Sequence, residues 1–503
     1  MALEPVFEKI IYNGEEKEVS ERIKTECKAD VVSEDVKRII NVCSYARAEE
    51  CSIEDGGITC SGRVNFFVCY ENAEGSVCKK ECVSEFSQLL KVEGLQENAK
   101  ANVSVYVDKT EVDLSGIKLL LTAYVSVKAQ IKEIKEINAL SGGEDIITDK
   151  SEVSFTKSLG IKDSSYSIDE EFDIDAQIKE ILNHSAEAAI TSVQCGVGCV
   201  IVDGEVYLSL TMLKDDEVVK IIKQDKTFPF RTEIDCEEAM PSNSATASVA
   251  VKSFKTDISV DAENNTSVAR ANITLSFNGE AFEEKTQSVA IDAFSLYEDI
   301  KIEKSECYAE CDCAIRSATV KICGKSNIEQ VDEKASLVAV TGERFEIVSK
   351  QATQEGVVVT GVFAANVMFI GEDGRLFSRK AETPIEVKTD ITLDCGTTFK
   401  VKCVPHGGTA TMISFTEIEL CGELSLMIYP IEKRKICVIN DVISMGQKQT
   451  EDCAISVYIA TEGESLWQLS KRLNVCPDEL AKSNKELQFP LCGSERIVIY
   501  RQK

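Results

Sequence analysis

The chain of 503 residues is poor in histidine, with two, and in proline, with eight. With only His184 and His406 present, no Ser-His-Asp or Cys-His arrangement can be built. So few prolines exclude a Pro-rich disordered chain. Bases are in deficit, because 56 Lys and Arg stand against 85 Asp and Glu, for a formal charge of -29. That balance excludes ordinary nucleic-acid binding, which needs cations to displace counterions from phosphates. It also disfavours an anionic membrane surface. No stretch approaches about 18 uninterrupted apolar residues, so no transmembrane segment is expected. The opening MALEPVFEKIIYNGEEKEV lacks a basic start and a long apolar core. No secretory leader is expected, and a cytosolic location is. The phosphate-cradling G-x-x-x-x-G-K-[ST] run is missing as well. The expectation is therefore a protein that is not an enzyme, with no catalytic residues, no cofactor and no metal.

Cysteine is plentiful, at 21, and the odd count forbids complete internal pairing. Without a leader, a disulfide framework is not expected. Most cysteines lie in apolar or alternating segments such as GITCSGRVNFFVCY, where they read as small hydrophobic fillers. The best metal candidate is Cys307, Cys311, Cys313 and Cys323, four thiolates that could surround zinc. Their spacing is not C-x-x-C, and a cysteine-rich strand is the preferred reading. Cys195 and Cys199 in QCGVGC are weaker candidates.

Three segments share one pattern: ITCSGRVNFFVCYENAEG, CVIVDGEVYLSLTMLKDDE and VVVTGVFAANVMFIGEDG. In each, a glycine (Gly62, Gly204 or Gly361) lies on the apolar face of an alternating run. A period of two over this length predicts a half-buried strand. The glycine predicts a bulge or a close backbone approach. An acidic turn follows each run, then a second strand ending at Glu85-Phe86, Pro229-Phe230 and Pro384-Ile385. Further alternating runs follow in each unit. The reading is three related β-rich, sandwich-like modules at 1–140, 141–300 and 301–445, with connecting segments near 130–175 and 286–330.

The last residues, 456–503, read differently. A short strand at Val457 to Ala460 meets the turn TEG, and Ser465 can cap a helix carrying Leu466, Trp467, Leu469 and Leu473. Pro477 opens a second helix, Gly493 ends a loop, and Arg496 to Tyr500 close the unit as a strand. The order is β-α-α-β. From Ser456 onward seven bases meet six acids, which leaves the rest of the chain near -30. A near-neutral module on an acidic body suits a separate docking role.

Tyr458, Gly463, Glu464, Ser465, Leu466, Trp467, Leu469, Val475, Leu480, Asn484, Gly493 and Ile499 match the pattern of the LysM family. The segment departs from it at Ala460, Glu462, Glu464 and Tyr500. The resemblance implies a groove lined by Gly463, Glu464, Ser465 and Leu466, with Asn484, Glu486, Leu487 and Gln488 opposite. LysM modules generally bind N-acetylglucosamine polymers. Against this, Trp467 and Leu469 more often serve as helix core, Ser465 as a cap and Asn484 as a partner of loop backbone. The tandem β modules resemble the LysM-associated domain of endospore formers, and Asp292 to Tyr297 (DAFSLY) is similar to a stretch of that domain. The whole layout resembles the SipL family of clostridial spore-coat morphogenetic proteins. That resemblance implies an adaptor of the mother-cell cytosol, at the forespore surface. Its LysM module would bind a coat scaffold ATPase of SpoIVA type. The alternative is a peptidoglycan-binding protein of the spore cortex or cell wall. Protein contact through the helix surface around Lys471 and Arg472, instead of the groove, stays open.

Overall fold

A computed structural model describes residues 3–30, 36–54, 56–95, 99–115, 118–261, 266–394, 397–448 and 455–500. Residues 501–503 of the expected C-terminal module lie outside these. The architecture is mainly β, with three long repeats of one strand plan followed by a small βααβ module.

The first repeat holds β1 (Glu4–Asn13), β2 (Lys17–Asp30), β3 (Val36–Glu54), β4 (Gly57–Asn72), β5 (Val77–Lys91), β6 (Lys100–Ser115), β7 (Lys118–Lys132) and β8 (Ile134–Glu144). Sheet β3-β4-β5 packs on sheet β2-β7-β6. The alternation read from the sequence is the cause. Ile58, Cys60, Val64, Phe66 and Val68 of β4 point into the same core as Leu119, Leu121, Ala123, Val125 and Val127 of β7. The partners β1 and β8 continue beyond this sandwich as a two-stranded ribbon.

The second repeat holds β9 (Ile146–Ile174), β10 (Ile178–Cys195), β11 (Cys199–Lys214), β12 (Ile221–Asp235), β13 (Ser244–Asp261) and β14 (Thr266–Ser295). The third holds β15 (Glu298–Asp312), β16 (Arg316–Asn327), β17 (Ser336–Thr353), β18 (Gly356–Ile370), β19 (Leu376–Lys388), β20 (Thr398–Ser414) and β21 (Glu417–Gln447). Both repeat the plan, with sheets β10-β11-β12 on β9-β14-β13 and β17-β18-β19 on β16-β21-β20. Strands β9, β14 and β21 are long enough to serve twice. One part of each lies in its sandwich and the other in a ribbon, so three ribbons form: β1–β8, β9–β14 and β15–β21. The segments 130–175 and 286–330, read from the sequence as connections, are largely these strands.

Each strand glycine sits where its neighbours approach too closely for a side chain. A Cβ on Gly62 would lie 2.1 Å from the Arg47 carbonyl oxygen and 2.7 Å from Phe86 Cζ. On Gly204 it would lie 2.3 Å from both the Ala189 carbonyl and Phe230 Cζ. On Gly361 it would lie 2.4 Å from the Glu346 carbonyl and 2.6 Å from the Phe345 ring. Opposite each glycine the partner strand carries a register shift, at Ala48/Glu50, Ile190/Ser192 and Ile347/Ser349. The residues taken as strand ends, Phe86, Phe230 and Ile385, lie directly across from the glycines, and their strands run on beyond them.

The sandwiches converge on one another. Ile40, Cys69 and Val77 of the first repeat, Leu182 and Leu213 of the second, and Ala339, Met368 and Leu376 of the third form one buried cluster. Contacts run around it. Phe67 meets His184 edge to face at 5.0 Å, Lys223 pairs with Glu343 at 2.8 Å, and Asn41 Nδ2 donates to Thr341 Oγ1 at 3.0 Å. The ribbons converge separately through Ile10, Tyr12, Ala139, Phe155, Val289, Ala309, Ile436 and Val438.

Two further sequence expectations change. His406, read as part of a turn, lies in β20, stacked on Tyr207 at 3.6 Å and 3.1 Å from Ser425 Oγ. Cys323, one of the four zinc candidates, is disulfide-bonded to Cys421, directly opposite on the neighbouring strand. It is therefore no fourth thiolate for Cys307, Cys311 and Cys313.

Candidate functional site

The C-terminal module consists of β22 (Ile455–Ile459), α1 (Leu466–Leu473), α2 (Pro477–Ser483) and β23 (Arg496–Tyr500), with β22 and β23 antiparallel. These are the only helices among the described residues. Short as they are, their ends are well determined. Gln468 N donates to Ser465 Oγ at 3.2 Å and Ser465 N donates back to Gln468 Oε1 at 3.1 Å, a reciprocal cap. Asn474 ends α1 in the left-handed region at φ 54. Pro477 occupies the first turn of α2, followed by Asp478 and Glu479 at the positive end of the helix dipole. The core is Ala460, Leu469, Val475, Leu480, Leu491, Ile497 and Ile499.

The two loops expected to line a groove lie side by side. Gly463 N donates to the Leu491 carbonyl at 2.8 Å, and Leu491 N donates to that of Glu464 at 2.9 Å. Of the eight residues named from the family pattern, Gly463, Glu486 and Gln488 are exposed. The others have internal partners. Glu464 accepts from Thr461 N and pairs with Arg472, whose guanidinium also covers the Tyr458 ring at 4.4 Å. Ser465 is the cap, and Leu466 and Leu487 rest on the core. Asn484 Nδ2 donates to the carbonyls of Leu480 and Val498, while Val498 N donates to Asn484 Oδ1, tying α2 to β23.

Trp467, read as a helix-core residue, is no part of that core. It faces the end of the second ribbon. Trp467 Nε1 donates to Asp292 Oδ2 at 2.8 Å, and its ring meets Phe294 edge to face at 5.3 Å. One turn on, Lys471 Nζ donates to Asp292 Oδ1 at 2.6 Å. Asn474 Nδ2 donates to the Leu296 carbonyl at 2.7 Å, and Lys448 Nζ bridges Asn474 Oδ1 and the Ser295 carbonyl, at 2.7 Å each. Burial pushes the Asp292 carboxyl up, but Lys471 and Trp467 outweigh it and hold it below the usual range. The DAFSLY stretch was visible in the sequence. Its role was not, because its partners stand some 175 residues away.

The outer side of β22 is apolar. Ile455, Val457 and Ile459 are 57%, 63% and 65% exposed, an aliphatic row on one face of the strand. No described helix is long and apolar enough to cross a membrane.

Three sandwiches of one plan carrying a βααβ module define a multi-repeat β protein with a terminal accessory domain. The SipL, SPOCS domain family matches it at residues 35–115 and 177–259. These regions correspond to β3–β6 of the first repeat and β10–β13 of the second. Over these two regions the chain is SipL-like, a similarity that supports a sporulation-related protein. No curated protein and no solved structure matches the chain.

Proposed function

We propose that the protein is a non-catalytic adaptor of spore-coat assembly. Its C-terminal module, taken as a LysM domain, binds a coat scaffold ATPase of SpoIVA type and so attaches the coat to the forespore from the mother-cell cytosol. The observation that carries this reading is the aliphatic row Ile455, Val457 and Ile459, on the one module that departs from the repeat plan. An exposed apolar strand face suits a protein partner. A glycan would be better served by aromatic rings, and none of the eight groove residues is aromatic. The non-catalytic part of this reading is in keeping with the two histidines, both engaged in aromatic packing within the body.

The test is capture of a purified SpoIVA-type ATPase by the full chain. Val457→Asp and Ile459→Asp put a charge on the row without touching the core, and each should lower affinity at least tenfold. Undiminished capture by both variants, or by a chain lacking 456–503, contradicts the reading. Sedimentation with purified peptidoglycan, lost on Gln488→Ala, would support the glycan alternative instead.

A further inference from the structure

The corner from Asp292 to Tyr297 has the properties of a built receptor. It offers one carboxylate with both oxygens used, one aromatic ring edge, and two backbone carbonyls that α1 and Lys448 complete. The complementary face of α1 is specific. It needs an N–H on an indole, a cation one turn later, and a left-handed Asn at the cap. Such a charge-assisted pair at 2.6 Å and 2.8 Å on one carboxylate requires both donors to converge from one helix face.

We propose that this corner is an intramolecular clasp for α1. It holds the C-terminal module as a fixed arm on the ribbon end and closes the Trp467–Lys471 face to partners. A protein that binds this face must displace Asp292 and Phe294. The clasp leaves β22 outward and the 463 and 486–488 loops open. The clasp is a contact of the chain with itself and holds whatever the outer face binds. A partner in the proposed mode would approach β22 with the clasp closed.

Trp467 is the single tryptophan of the chain, so its fluorescence reports the clasp directly. Acrylamide is the suitable quencher, because iodide is repelled by a protein of formal charge -29. In the full chain, Asp292→Ala and, separately, Lys471→Glu should each raise the acrylamide quenching constant at least twofold and shift the emission to the red. The charge-swapped pair Asp292→Lys with Lys471→Asp restores the ion pair but leaves the indole N–H without its acceptor, and should return quenching only part of the way to the native value. Asn474→Gly keeps the left-handed cap while removing the amide, and should give a smaller rise. It also serves if changes at Asp292 impair folding, as judged by far-ultraviolet circular dichroism. Quenching that stays at the native value in Lys471→Glu and Asn474→Gly overturns the clasp. So does a native chain whose Trp467 is quenched as freely as N-acetyltryptophanamide.

Discussion

His184 shows how a residue can be read correctly as part of a strand and still hold its significance elsewhere. It lies between Phe67 of the first repeat and Phe254 of its own, at 5.0 Å and 4.6 Å. Burial, aided by Lys79 and Arg47 and only partly opposed by Glu81, lowers its pKa from 6.5 to about 4. The unfolded chain therefore binds one more proton here between about pH 6.5 and 4. Stability from this residue is intact above that window and falls as the pH drops through it, by on the order of 3 kcal/mol in full. Urea unfolding at pH 7 and pH 5 should show a larger loss on acidification for the native chain than for His184→Phe. Equal losses would show that the histidine is not held neutral. Trp467 is the opposite case. Its helix position was legible, because Ser465, Gln468 and the apolar spacing act within a few residues. Its contacts were not, because they depend on how a ribbon more than 170 residues upstream is placed.

Among the elements, strands were the most legible part of the molecule. An alternating run reports which face is buried without any knowledge of the partner, and the faces read around Gly62, Gly204 and Gly361 are the faces that fill the three cores. What alternation could not show is a strand serving two layers. In β14, residues pair with β9 along nearly the whole length, and a register shift at Ala281/Phe282 marks the passage from sandwich to ribbon. Such a change of layer leaves the period of two unaltered, so the ribbons looked like connections. The glycine positions give an element-scale prediction. Gly204→Ala drives a methyl against a backbone carbonyl and the Phe230 ring. It should destabilise by about 1–3 kcal/mol in thermal or urea unfolding. Gly204→Ala combined with Phe230→Leu should recover part of that loss. An unchanged midpoint in Gly204→Ala would mean that the close approach is not present.

At the scale of the whole molecule, the repeats are joined at two levels, and the waist between them is charged. Lys132, at the end of β7, pairs with Asp312 of the third repeat and feels Glu280 of the second. Lys400 pairs with Glu16, and the Glu16 amide donates to Glu310 Oε2 at 3.0 Å. Burial alone would lower the Lys132 pKa, yet the carboxylates of Asp312, Glu280 and Glu16 raise it. Removing one partner of such a network strands the others. Lys132→Met should cost about 3–5 kcal/mol, seen as a lowered urea midpoint. Lys9→Met, whose exposed pair with Glu136 is at the ribbon surface, should cost under about 1 kcal/mol. Similar small losses for both would show that the waist is solvated and does not couple the repeats.

The proposed function requires a braced three-repeat body that presents the outer face of β22 to a protein. Isothermal titration of the full chain with a purified SpoIVA-type scaffold ATPase, native against Ile459→Asp, tests this most directly. Saturable binding by the native chain, weakened at least tenfold by the one substitution while the far-ultraviolet spectrum is unchanged, is the predicted result. Equal affinity for both, or no heat of binding with the native chain, would contradict it.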